Sequence, residues 1–178
     1  IRDKLHTIER QIEQLAIAGI KDVPKTDISW LSEEIDGFNL PKNYALIVPG
    51  GSLHRKNKRW PENEYIKLAG YLLSKDIIPV IIGTKNEEDV AKKISKISDK
   101  IINLNDKTSI SQIASLGRNA KISVGNDTGP MHILAATGCA TLVIFSGESR
   151  PSETAPRGEN INIIQRQNIK ELFFENIL

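Results

Sequence analysis

Cysteine is nearly absent from this chain: Cys139, flanked by Gly138 and Ala140, stands alone among 178 residues. A lone thiol excludes an intrachain disulfide and fits a reducing compartment, where it serves as a small core residue. Long apolar runs are missing too, and with them any candidate transmembrane segment. Charge of one sign is lacking, because 24 Lys and Arg against 22 Asp and Glu leave a formal +2. No global field therefore calls for nucleic acid or a membrane surface as partner. Metal-binding clusters are not in sight, since His6, His54 and His132 are dispersed and the thiol has no companion. Neither the Gly-x-Gly-x-x-Gly of dinucleotide oxidoreductases, nor a Walker loop, nor a serine-hydrolase elbow occurs. Low complexity and internal repeats are absent as well. Ile1 is not an initiator methionine, so the chain reads as a fragment or processed product.

What is present is an alternation. Asp3 to Ala18 carries Leu5, Ile8, Ile12, Leu15 and Ala16 three and four apart, an apolar stripe on a charged helix that Gly19 can end. Residues 21–42 turn to Pro, Gly, Asp and Ser around scattered apolar side chains and read as a linker, which puts a domain boundary near Pro41. Residues 1–40 are then a helix and linker, and 41–178 one domain. Within it, short apolar runs predict strands at Tyr44–Val48, Ile77–Ile82, Ile101–Leu104, Lys121–Val124, Thr141–Phe145 and Ile161–Ile164. Helical patterns at 62–73, 87–97, 109–116 and 132–137 separate them, with a terminal helix at 169–177. Strict alternation implies a doubly wound, mostly parallel, Rossmann-like α/β sheet joined by right-handed crossovers. In such sheets ligands bind beyond the carboxyl ends of the strands, so the loops after the first, second, fourth and fifth strands should share one crevice.

Those loops carry the chemistry. The stretch Gly125 Asn126 Asp127 Thr128 Gly129 Pro130 Met131 His132 joins an apolar strand to a helix through a glycine-flanked polar turn. It aims backbone amides and a positive helix end at one spot that suits a phosphate or, equally, makes a well-capped helix start. His132, on the first turn, could reach the same anion. After the first strand, Gly50 Gly51 Ser52 precedes Arg55, Lys56, Lys58 and Arg59, cations beyond a di-glycine turn that suit a diphosphate or form a solvated basic loop. Glu87 follows Gly83 at the end of the second strand, where a carboxylate accepts ribose hydroxyls or complements a helix dipole.

Taken together, Val48 Pro49 Gly50 Gly51 Ser52, Lys58 Arg59 Trp60 Pro61, Gly83 with Glu87, Gly125 to His132, and Phe145 Ser146 Gly147 with Ala155 Pro156 Arg157 Gly158 resemble glycosyltransferase family 9. This is the family of ADP-heptose:lipopolysaccharide heptosyltransferases, and the match runs in order along the whole chain. The resemblance implies one half of a GT-B architecture, the carboxyl-terminal donor-binding half with its linker. It implies that Gly51, Ser52 and Lys58 with Asp127, Thr128 and Gly129 hold the nucleotide-sugar diphosphate, that Glu87 takes the ribose, and that His132 lies near the donor phosphates. ADP-heptose is the implied donor and the lipopolysaccharide core the implied acceptor, reached through the missing amino-terminal half. The carboxylate base of an inverting transfer would also belong to that half, and the terminal helix would pack against it. No cofactor or metal is implied. Lys58, the amides of Thr128 and Gly129 and a helix dipole are expected to stabilise the departing diphosphate. A cytoplasmic enzyme is implied, with any inner-membrane attachment made through the missing half. Glu148 and Ser149 depart from the Pro-Thr pair common at this place, which leaves the donor sugar open. A non-catalytic nucleotide or phosphosugar module, a GT-B-like nucleotide-sugar epimerase, and an RNA-binding domain using Arg55 to Arg59 are the other readings.

Overall fold

The computed structural model describes residues 5–51 and 54–177. Six strands, Tyr44–Val48 (β1), Ile78–Ile81 (β2), Ile102–Asn103 (β3), Ile122–Asn126 (β4), Thr141–Ser146 (β5) and Ile161–Arg166 (β6), form one sheet in the order 3-2-1-4-5-6. Every neighbouring pair is parallel. A parallel sheet exposes apolar side chains on both faces and needs cover on both. The helices supply it: Glu62–Ser74 (α2) and Glu88–Ser95 (α3) on one face, Ile110–Asn119 (α4) and Gly129–Ala136 (α5) on the other, with Thr7–Ile17 (α1) and the short Pro151–Thr154 (α6) outside.

β1 shows how the sequence divides between the two layers. All five of its residues are buried, and alternate side chains point to opposite faces. Ala45 and Ile47 pack with Tyr65, Leu68 and Leu72 of α2 and Ile94 of α3. Tyr44, Leu46 and Val48 pack with Leu116 of α4 and with Met131 and Leu134 of α5. Between β1 and β4 the strand order reverses, which makes this seam the switch point of the sheet. The seam leaves no room for a side chain at Gly125. Gly125 lies opposite Val48, and a Cβ on it would stand 2.6 Å from the Val48 carbonyl oxygen.

Two segments differ from their expected form. The carboxyl-terminal stretch is two single 3-10 turns, Ile169–Glu171 and Phe174–Asn176, rather than one helix. Its main-chain groups are used elsewhere: the Leu172 carbonyl accepts from Trp60 Nε1 at 2.7 Å, and the Phe174 amide donates to Glu64 at 2.7 Å. A helix would need both groups internally. The second difference concerns α1, which begins at Thr7 and has no buried residue. Its first turn is tied to the loop after β5, with His6 Nε2 2.9 Å from the Ala155 carbonyl and Thr7 Oγ1 donating to the Glu153 carbonyl at 3.0 Å. The apolar stripe of Ile8, Ile12 and Leu15 remains more than a third exposed.

Candidate functional site

The site is assembled around one buried amide. Asn126 ends β4 and is 1% exposed. Its Nδ2 donates to the carbonyls of Pro49 and Gly50 at 3.0 and 2.8 Å, and its Oδ1 accepts from the Trp60 amide at 2.9 Å. The loop leaving β1 is thereby pinned at both ends to the end of β4. Burial requires such an amide to be fully bonded, and here every bond is to main chain. The sequence puts Asn126 in the turn after a strand ending at Val124, whereas it is the last residue of β4. Its structural duty was not legible, because its partners lie 66 to 77 positions away.

Lys58 closes the single 3-10 turn Lys56–Lys58 and brings its Nζ to 3.6 Å from Asp127 Oδ2. Asp127 also accepts from Ser149 Oγ at 3.0 Å. The carboxylate therefore does not cap α5, contrary to the simplest expectation for a residue at this place. Thr128 is the N-cap, and its Oγ1 turns back to donate to the Asn126 carbonyl at 3.2 Å. Among the described residues no side chain caps the first turn of α5, and Pro130 contributes no N–H. The helix start faces the cleft with its main-chain donors uncovered by side chains. Gly129 has open space where a Cβ would stand, so a ligand can approach its backbone closely.

That cleft has a volume of about 560 Å³ and brings together Gly51, Glu87, Asp127, Thr128 and Gly129, with Ile110, Ile113 and Pro130 as apolar walls. Lys58 adjoins it through Asp127. Ser52 lies outside the described residues. Glu87 is nearly buried: its Oε2 accepts from the Thr84 amide at 3.0 Å and from Thr84 Oγ1 at 2.7 Å, and its Oε1 lies 3.6 Å from Arg59 Nη2. It thus closes the capping box of the turn before α3 and also lines the cleft.

His132 is not brought into this cleft. It lines a second one of about 670 Å³, with Ile8, Thr26, Ala136 and Arg157, on the side of α5 that faces α1 and the linker. Desolvation pushes its pKa below the ordinary histidine value, reinforced by His6 and opposed by Asp127. Among the described residues no group of three or more His, Cys, Asp or Glu could hold a metal ion, and no helix is long and apolar enough to cross a membrane.

A mouth with main-chain donors at a helix start, a lysine beside it, an apolar slot and a carboxylate within hydrogen-bonding reach of the slot can hold an anion joined to a ring and a polyol. Comparison with known proteins places the chain in a family. The family model described as "Glycosyltransferase family 9 (heptosyltransferase)" matches residues 4–175. Lipooligosaccharide heptosyltransferase 2 of Haemophilus ducreyi is 34% identical over 114 residues, which cover 61% of this chain and 33% of that protein. Lipopolysaccharide heptosyltransferase 1 of Escherichia coli K12 is 26% identical over the whole chain and 56% of its own length. The chain thus spans from a third to just over half of the curated relatives it matches. Among solved structures, E. coli heptosyltransferase WaaC with ADP superposes with a TM-score of 0.78 at 24% identity, covering 98% of this chain and 55% of that one. The same enzyme with ADP-2-deoxy-2-fluoro heptose gives 0.72 at 25% identity, covering 96% and 53%.

Proposed function

The chain belongs to glycosyltransferase family 9, and on that premise we propose that it is the donor-binding half of an inverting heptosyltransferase, taking ADP-heptose and passing the sugar to a lipopolysaccharide core acceptor. The observation that carries this reading is the convergence, at the switch point between β1 and β4, of Asp127, Thr128, Gly129 and Glu87 in one cleft, with Lys58 beside it through Asp127. The diphosphate would sit on the amides of Thr128 and Gly129, with Lys58 and the α5 dipole opposing its charge. The adenine would enter between Ile110, Ile113 and Pro130, and the ribose would meet Glu87. Asp127, held by Ser149 and Lys58, would accept a sugar hydroxyl.

In the transfer itself, the leaving group is a nucleoside diphosphate whose negative charge grows as the glycosidic bond breaks. Fixed donors aimed at that charge lower the barrier without reorganising during the reaction. The complementary act, removing the acceptor proton, requires a base, which we assign to the amino-terminal half of the whole enzyme. Residues 1–40 would form the linker to that half and 41–178 the donor domain, working at the cytoplasmic side of the inner membrane. The ligands in the titles of the neighbouring structures, ADP and an ADP-heptose analogue, support the donor. The names of the curated relatives support the acceptor.

Calorimetric titration with ADP, UDP and GDP at two salt concentrations tests the reading. Saturable binding that prefers ADP and survives added salt is expected. Binding that weakens steeply with salt and ignores the base would mark a polyanion surface at Arg55 to Arg59 instead.

A further inference from the structure

Arg59 has no contact with the nucleotide in the reading above, yet it lies between two residues that do. Its Nη2 donates to the Gly51 carbonyl at 2.6 Å and stands 3.6 Å from Glu87 Oε1. The Glu87 side chain is 5% exposed and that of Arg59 25%, so the guanidinium supplies a counter-charge to a carboxylate that has almost left water. Glu87 Oε2 is already taken twice by Thr84. A ligand hydroxyl must therefore come to Oε1, the oxygen that Arg59 faces. The di-glycine turn is shaped to the same arrangement. A Cβ on Gly51 would lie 3.0 Å from Arg59 Cγ, and a Cβ on Gly50 would lie 3.3 Å from Glu87 Cδ. Arg59 Nε is buried without a hydrogen-bond partner among the described residues, which leaves the guanidinium anchored at its Nη2 end, by Gly51 and Glu87.

We infer that Arg59 is a positioning residue that locks the Gly51 backbone and Glu87 Oε1 into one unit, so that recognition of the ribose hydroxyls depends on a side chain that touches no ligand. This rests on the nucleotide reading of the cleft. It differs from a general packing role, because it concerns the ribose half of the nucleotide and not the diphosphate half. A lysine keeps the charge but lacks the length and shape of the guanidinium arm that carries Nη2 to both the Gly51 carbonyl and Glu87 Oε1.

The experiment is calorimetric titration of the 178-residue chain with ADP and with 2′,3′-dideoxy-ADP, comparing wild type, Arg59→Met, Arg59→Lys and Gly51→Ala, with thermal unfolding as the folding control. Wild type should prefer ADP by roughly tenfold, the scale of one hydrogen bond to a charged group. Arg59→Met should bring that ratio close to one, and Arg59→Lys should restore part of it. Gly51→Ala, which displaces the arginine stem without removing its charge, should lower the ratio too and gives the answer if Arg59→Met does not fold. Combining Arg59→Met with Glu87→Gln should cost no further discrimination than Glu87→Gln alone. Equal weakening of both ligands, with the ratio kept, would overturn the inference and leave the nucleotide site standing. Failure of wild type to bind ADP at all would overturn the nucleotide reading, and this inference with it.

Discussion

The two sides of α5 carry clefts of similar size and different construction. On one side, Thr128 and Gly129 present main-chain donors at the helix start, backed by Lys58 and by an asparagine that is 1% exposed. On the other, His132 presents a ring beside Ile8 of α1 and Arg157, where the helix next door has no buried residue. The first cleft is braced by hydrogen bonds between segments far apart in the chain. The second is bounded by an element whose apolar stripe stays partly in water. Backbone donors point along a helix axis and side chains point away from it, so one eight-residue stretch can serve two places at once. Uncovered main-chain donors and a neighbouring lysine belong to the first, and the nucleotide is proposed to bind there for that reason.

The most damaging change to this contrast is Asn126→Ala. It leaves the Trp60 amide and the carbonyls of Pro49 and Gly50 buried without their partner, and should cost about 3 kcal/mol of stability. Denaturant unfolding measures this, and the second cleft should play no part in it. Next comes Gly125→Ala, whose Cβ would meet the Val48 carbonyl at 2.6 Å; pushing β1 from β4 should cost roughly 1 to 3 kcal/mol. Lys58→Ala should leave the fold within about 0.5 kcal/mol of wild type. Its effect is on the ligand, with ADP affinity falling on the order of tenfold or more as a charge-assisted contact is lost.

His132→Gln has the smallest expected effect and sharpens the comparison most. ADP affinity should stay within about twofold of wild type, because the ring lines the other cleft. The change should instead appear in the pH dependence of stability. The folded ring binds its proton less tightly than an ordinary histidine, whose pKa is 6.5, so the unfolded chain takes up more protons as pH falls. Stability contributed by the neutral ring is present above that value and is lost as pH drops below it. Thermal unfolding between about pH 5 and about pH 7.5 should show a shallower acid limb in His132→Gln than in wild type.

Much of the fold could be read from the chain. The strands at Tyr44–Val48 and Thr141–Phe145 are short apolar runs bounded by turn residues, and the alternation with helices led directly to a parallel sheet. The rule for switch points assigns the loops after β1, β2, β4 and β5 to one crevice. The first three line one cleft through Gly51, Glu87, Asp127 and Thr128, whereas the loop after β5 lies outside its lining and meets it through the Ser149–Asp127 hydrogen bond. What escaped depends on partners distant in sequence. The apolar spacing of Ile169, Leu172 and Phe174 suits a helix, but Trp60 and Glu64 capture the main-chain groups that a helix would have used. The di-glycine turn reads as room for a phosphate, whereas the space beside Gly50 is taken by Glu87 and that beside Gly51 by Arg59. Asp127 reads as a cap because caps and ion-pair partners are the same residue types, and only the position of Lys58 and Ser149 separates the two. His132 follows the same motif in sequence, and its ring lines the cleft on the α1 side of α5 while still feeling the charge of Asp127.

The measurement that bears most directly on the central claim is titration of ADP into wild type and Lys58→Ala, each with Mg²⁺ and again with a chelator. The account predicts saturable binding to wild type that is unchanged by chelation and weakened on the order of tenfold or more by the substitution. Binding of equal strength in both proteins, or binding that disappears with the chelator, would contradict it.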